Sequence, residues 1–152
     1  MSEKHKARLA SFVIFEHDGK ILLARRFNTG YSDGFYQMPS GHVEEHEYPS
    51  EAAIREMKEE VGVDIEPKDL IPIHISHRIN TNSAGDYVDF FFKTSKWSGE
   101  IRIAEPDKCD ELIWVAMDDL PENTVPVIRE VVAHILENQS YSEIGRLEDK
   151  KS

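Results

Sequence analysis

Cysteine occurs once in this chain, at Cys109, which excludes an internal disulfide and a Cys-rich zinc site. No apolar run approaches the roughly 20 residues that cross a bilayer. The opening MSEKHKARLA lacks the apolar core of a secretory signal, so a cytoplasmic location without a membrane partner is expected. Positive charge is scarce: 18 Lys and Arg stand against 29 Asp and Glu, a net charge of −11. That balance opposes non-specific association with nucleic-acid polymers or anionic membranes. Neither His42 with His46 nor His74 with His77 makes up a zinc set. Repeats and Gly/Pro/Ser-rich linkers are absent. With 39% hydrophobic and 31% charged residues among 152, the composition is that of one soluble domain with a real core. The domain is expected to span 1–137, with a polar, frayed tail at 138–152; a homodimer is left open.

What is present alternates between strand and helix signals. Residues 8–16 carry the apolar run LASFVIF, a strand, followed by a His17-Asp18-Gly19-Lys20 hairpin turn and a partner strand at 21–25. Residues 27–37, with Gly and aromatics, read as a loop near the ligand, in which Tyr31, Phe35 and Tyr36 are candidates to stack on a base. Further strands are expected at 70–79 (alternating at Ile71, Ile73 and Ile75), 86–93 and 112–116, with a turn at 81–85. A second amphipathic helix is expected at about 125–137, with Val127, Ile128, Val131, Val132 and Ile135 apolar.

The most informative stretch is 41–63, GHVEEHEYPSEAAIREMKEEVGV. At about 100° per residue, Ile54, Met57 and Val61 form one stripe that packs on a sheet. Glu56, Glu59 and Glu60 fall on another face, within about 100° of one another, with Ala52 among them leaving room for a ligand. Like charges at these spacings cost a bare helix roughly 0.2–0.5 kcal/mol per pair, which points to a neutralising partner. Hard carboxylates suit Mg2+ or Mn2+. Pro49 fits the first helical turn, Ser50 could cap it, and Gly62 fits the C-terminal cap. Arg55 can reach Glu47 or Glu59.

The spacing resembles the Nudix box, G-x5-E-x7-R-E-U-x-E-E-x-G-U, with Gly41, Glu47, Arg55, Glu56, Glu59, Glu60 and Gly62 at its fixed positions and Met57 and Val63 at its aliphatic ones. The resemblance runs over about 8–135 and is nearest to the small MutT-type nucleoside triphosphate pyrophosphohydrolases, through ILLARR, KWSGEIRIAEP and DDLPENTVPVI. It implies an α/β (α+β) fold, a mixed β-sheet held between helices. It implies a hydrolase of nucleoside diphosphates linked to another group, here most simply a (deoxy)nucleoside triphosphate cleaved to monophosphate and pyrophosphate. Mg2+ or Mn2+ would be the cofactor and a small-molecule nucleotide the partner.

By position, Glu56 would bind metal and act as general base, Glu59 and Glu60 would bind metal, and Glu47 and Arg55 would orient the helix. The main-chain carbonyl at Ser40 would be a further ligand, although PSG replaces the PGG of many relatives. Glu105, eight residues after Trp97, stands where MutT-type enzymes carry another metal-binding Glu; Glu100, Asp107 and Glu111 compete for that role. Arg26 matches a substrate-contacting Arg, while strand alternation turns Arg25 away. At the base-reading position these enzymes carry Asn; here the aligned residue is Thr124, with Asn123 beside it. Other nucleoside diphosphate derivatives (sugars, dinucleotides) and a non-catalytic nucleotide-sensing module remain alternatives. An isopentenyl-diphosphate isomerase would need a Cys in the first half of the chain, and Cys109 is late.

Overall fold

A computed structural model of the chain describes residues 3–79 and 85–145. The turn expected at 81–85 lies, apart from Gly85, outside the described residues, as does 146–152 of the expected tail. Eight strands and two helices follow in order: β1 Ala7–His17, β2 Lys20–Arg26, β3 Tyr36–Gln37, β4 Ser40–His42, α1 Pro49–Val61, β5 Ile71–Arg78, β6 Asp86–Thr94, β7 Cys109–Val115, α2 Pro126–Leu136 and β8 Tyr141–Ile144. A single 3-10 turn at Pro67–Asp69 leads into β5.

The sheet is mixed, and helices cover both faces. Parallel pairing of β1 and β6 runs from Ala7↔Asp86 to Phe15↔Thr94. On its other side β1 meets β4 antiparallel, with Ser11 opposite Gly41. Beyond β6 lie antiparallel β5 and then parallel β8. Asp18 and Gly19, at φ 52° and 74°, close the β1–β2 hairpin in the left-handed geometry that an Asp-Gly pair favours. β2 then pairs with β3 and β7. The run in β1 is apolar at consecutive positions because both of its faces are buried. Phe12 and Ile14 enter the core beneath α2 with Phe91, Ile128 and Val132. Val13 and Phe15 enter the core beneath α1 with Met57, Val61 and Phe92.

Three sequence expectations are corrected here. Ile71 and Ile75 are exposed (52% and 42%), while His74 and Ser76 are buried. A register shift between Pro72 and His74 disturbs the alternation, and α1 packs mainly over β1, β4 and β6, leaving Ile71 and Ile75 of β5 open. The expected frayed tail contains a strand: β8 pairs with β5 from Ile75↔Tyr141 to Arg78↔Ile144, burying Ser142 and Ile144. Ordered structure therefore continues past 137. Finally, Ala52 is fully buried rather than facing a ligand, and its small side chain lets α1 lie close to β4.

Candidate active site

Helix α1 is fixed at both ends. Pro49 occupies the first turn, and the Glu51 carboxylate accepts the N–H of Tyr48, the N-cap residue, at 2.8 Å. Ser50, read as a possible cap, lies inside that first turn. The buried Ser11 hydroxyl on β1 donates to the Pro49 carbonyl at 2.7 Å, tying the helix start to the sheet. At the other end Gly62, at φ 74°, donates to the Lys58 carbonyl at 3.2 Å, the left-handed cap that glycine adopts without strain. Ala53, Met57 and Val61 bury the inner face; Ile54, expected in that stripe, is half-buried.

The outer face carries the carboxylates. Arg55 clamps the loop before the helix: Nε donates to Glu47 Oε2 at 2.8 Å, and Nη2 donates to Glu47 Oε1 and to the His42 carbonyl, both at 3.0 Å. Nη1 donates to Glu56 Oε1 at 2.8 Å and lies 3.6 Å from Glu59. Of the two partners open to Arg55, Glu47 takes the bidentate contact. That contact holds the Glu47 carboxyl below the usual range and, reciprocally, raises the guanidinium. Glu56 lies directly over the backbone of β4. A Cβ on Gly41 would overlap the Glu56 side chain, which accounts for glycine there.

Glu60 sits deeper. Burial, and then the Glu56 carboxylate beside it, push its carboxyl well above the ordinary value; Glu105 adds to the push, and the Ser40 N–H, 3.4 Å from Oε1, opposes it. Glu105 is brought there by the segment after Trp97, which is stitched to the helix end by Arg102 N–H to Val61 carbonyl and Ala104 N–H to Glu60 carbonyl, each 3.0 Å. Among the described residues no three His, Cys, Asp or Glu side chains stand close enough together to hold an ion as they are placed. The donor chemistry nevertheless fits a hard divalent cation: every candidate is an oxygen donor, and the Glu56 and Glu105 carboxylates both disfavour a charged Glu60, a repulsion that a cation would relieve.

These groups open into a cleft of about 760 Å3. Ser40, Gly41, Glu56, Glu59, Glu60 and Glu105 line it, and so do Arg25, Arg26, Lys108 and Arg78. Of the four acidic candidates after Trp97, only Glu105 lines the cleft. Glu111 is instead hydrogen-bonded by the buried Tyr36 hydroxyl and lies 3.8 Å from Arg25. Contrary to strict alternation, a bulge between Arg25 and Arg26 lets both reach the cleft. Arg25 is paired with Asp110 at 2.7 and 3.2 Å. Arg26 donates to the Tyr31 carbonyl at 2.6 Å and lies over the exposed Tyr31 ring. Asn123 and Thr124 are outside the cleft lining. Asn123 Nδ2 donates to the Gly34 carbonyl at 2.8 Å, and the buried Thr124 hydroxyl donates to the Pro121 carbonyl at 2.7 Å, so both support the loop 27–35 and the approach to α2.

Sequence reading missed Lys108 and a further group in the cleft wall, His42, Arg78 and Tyr87, with Asp89 buried behind them. A signal was available, because Asp89 occupies an inward-facing position between the apolar Tyr87, Val88, Phe90 and Phe91, and a charge there needs a partner.

A sequence model of the NUDIX domain matches residues 5–135. The chain is 28% identical to an RNA pyrophosphohydrolase of Wolbachia pipientis subsp. Culex pipiens over 152 aligned positions, 91% of each chain. It is 28% identical to an 8-oxo-dGTP diphosphatase of Proteus vulgaris, over 66% of this chain and 87% of that one. The crystal structure of a MutT NUDIX hydrolase from Burkholderia pseudomallei superposes with a TM-score of 0.77 at 27% identity, covering 86% of this chain and 99% of that one.

Proposed function

The chain belongs to the Nudix family and is a Nudix hydrolase, and on that premise we propose that it cleaves nucleoside or deoxynucleoside triphosphates to the monophosphate and pyrophosphate. The observation that carries this reading is the packing of Glu56 against Gly41, beside Glu60 and Glu105, in a cleft also lined by arginines. An anionic substrate is held at the basic walls and presents its phosphates to the carboxylates.

Glu56, Glu59, Glu60, Glu105 and the Ser40 carbonyl would hold Mg2+ or Mn2+, which neutralises phosphate charge and makes water a better nucleophile at neutral pH. Glu56 takes the proton of the attacking water. Glu47 and Arg55 set its position through the hydrogen bonds of the clamp. Lys108 and Arg26 face the same cleft and supply positive charge for the phosphates; Arg26 does so once it exchanges its bond to the Tyr31 carbonyl for one to substrate. Asn123 and Thr124 act on base selection only through the loops they brace. With a net charge of −11, a free nucleotide is a better match than a polyanionic polymer.

The substitution Glu56→Gln keeps shape and removes both basicity and one negative charge. The expected outcome is a fall in kcat of about 100-fold or more, in the range of general-base loss, with far-UV circular dichroism unchanged. Retention of more than about a tenth of the wild-type rate would remove Glu56 from the role of base.

A further inference from the structure

Two neighbouring arginines at the end of β2 are held in different ways. Arg25 pairs directly with the Asp110 carboxylate, Nε at 2.7 Å and Nη2 at 3.2 Å. No carboxylate bonds Arg26 directly among the described residues; a loop holds it instead. Its Nε donates to the Tyr31 carbonyl at 2.6 Å, and its Nη2 donates to the Thr29 hydroxyl at 3.0 Å. Arg26, Thr29 and Tyr31 all line the cleft.

Propensity alone does not give the loop this shape. Asn28 and Ser32 are left-handed, at φ 54° and 51°, between and beside Gly30 and Gly34 at 81° and 83°. Such backbone is uncommon outside glycine, so side-chain bonds must hold it. Asp33 supplies them. Its Oδ1 accepts the Thr29 N–H at 2.9 Å and the Thr29 hydroxyl at 2.6 Å, and its Oδ2 accepts the Gly30 N–H at 3.0 Å. These bonds, that of the Thr29 hydroxyl first, hold the Asp33 carboxyl below its ordinary range.

The Thr29 hydroxyl has one proton and two lone pairs. It lies 2.6 Å from Asp33 Oδ1 and 2.9 Å from the Tyr31 carbonyl, and only one of them can receive the proton. The ionised carboxylate is the nearer and the stronger acceptor, so the proton goes there. A lone pair is then turned to Arg26 Nη2. Asp33 thereby orients the guanidinium without touching it, and polarises the hydroxyl that does. Asp33 is itself outside the cleft lining, so its carboxylate is not presented to an anion bound there.

We propose that Asp33 is a positioning residue that, through the Thr29 hydroxyl, holds Arg26 for the substrate phosphates. This rests on the nucleotide-hydrolase reading above. When Arg26 leaves the Tyr31 carbonyl for phosphate, Thr29 remains as its pivot.

A double-mutant cycle tests this on the full chain. Its readouts are the affinity for inorganic pyrophosphate with Mg2+, by calorimetry, and KM and kcat for a nucleoside triphosphate. Thr29→Val keeps the shape and removes the hydroxyl; Asp33→Ala removes the acceptor behind it. Each should weaken pyrophosphate binding and raise KM about fivefold, the size of one hydrogen bond, with kcat within about twofold. Thr29→Ser keeps the hydroxyl and should stay within about twofold of wild type on every readout. In a chain that already carries Arg26→Ala, neither Thr29→Val nor Asp33→Ala should weaken pyrophosphate further. A loop that had merely lost its shape would weaken binding with or without the Arg26 side chain. If Asp33→Ala fails to fold, Thr29→Val carries the test, because it leaves the bonds from Asp33 to the main chain in place. Wild-type affinity in Thr29→Val, equal weakening with and without the Arg26 side chain, or no binding of pyrophosphate by the unaltered chain would overturn the assignment. Failure of the parent reading looks different: no triphosphate would release pyrophosphate, while the affinity cycle would still give its answer.

Discussion

Gly41 has no side chain because Glu56 occupies the space one would fill. Gly41→Ala must therefore displace either β4 or the carboxylate. Overpacking of this kind typically costs about 1–3 kcal/mol, and here the movement falls on the proposed base. The expected result is a loss in kcat of about tenfold or more with a Tm lowered by a few degrees, as steady-state rates and thermal melts will show. Glu105 permits a comparative test within one segment. Because it alone of its acidic neighbours lines the cleft, Glu105→Gln should raise the Mg2+ concentration needed for half-maximal rate and slow turnover, while Glu100→Gln and Asp107→Asn should not. A rate titration against Mg2+ for the three variants decides the point; three wild-type-like curves would remove Glu105 from the site. Such residues could be read from the sequence where a fixed spacing carried them, as with Glu47, Arg55, Glu56, Glu59 and Glu60. Arg78 and Asp89 are eleven positions apart on different strands, and only the strand pairing brings them together.

The elements differ in how openly the sequence declares them. Helix α1 combines an apolar stripe, a proline at its start and a glycine at its end, so its limits and its charged face follow from period and capping. β8 has only four residues, of which Ile144 is its one buried hydrophobe, and its parallel pairing with β5 requires no local turn, so its chain segment reads as a tail. The joint of α2, β5 and β8 is closed by His74, whose ring bonds the Gln139 carbonyl and the Ser142 hydroxyl, each at 2.8 Å. Burial is the main reason that its pKa lies below the ordinary value, with the nearby His134 adding to the shift and the Gln139 bond opposing it. The unfolded chain then binds more protons than the folded one below about pH 6.5, so this contribution to stability is complete above that pH and is lost as pH falls. Thermal melts should show Tm declining from pH 7 toward pH 5, and His74→Gln should flatten that decline. An unchanged slope in the variant would move the pH dependence elsewhere.

At the scale of the whole molecule, the parallel pairing of β1 with β6 places the two cores back to back and leaves a cleft between the α1 face, the β2–β7 layer and the start of α2. Carboxylates and arginines together line that cleft, in a chain whose net charge is −11. Such a molecule repels polyphosphates at long range and accepts them only where cations reverse the local field. The mixed sheet between helices was legible because apolar runs and turn signals follow the chain order. The cleft was not, since its walls come from segments far apart in sequence. Separation of the products formed from nucleoside triphosphates, with Mg2+ and again with excess EDTA, tests the account most directly. It predicts monophosphate and pyrophosphate in equal amounts with metal and neither with EDTA. Full turnover in EDTA, or diphosphate with orthophosphate as the products, would contradict it.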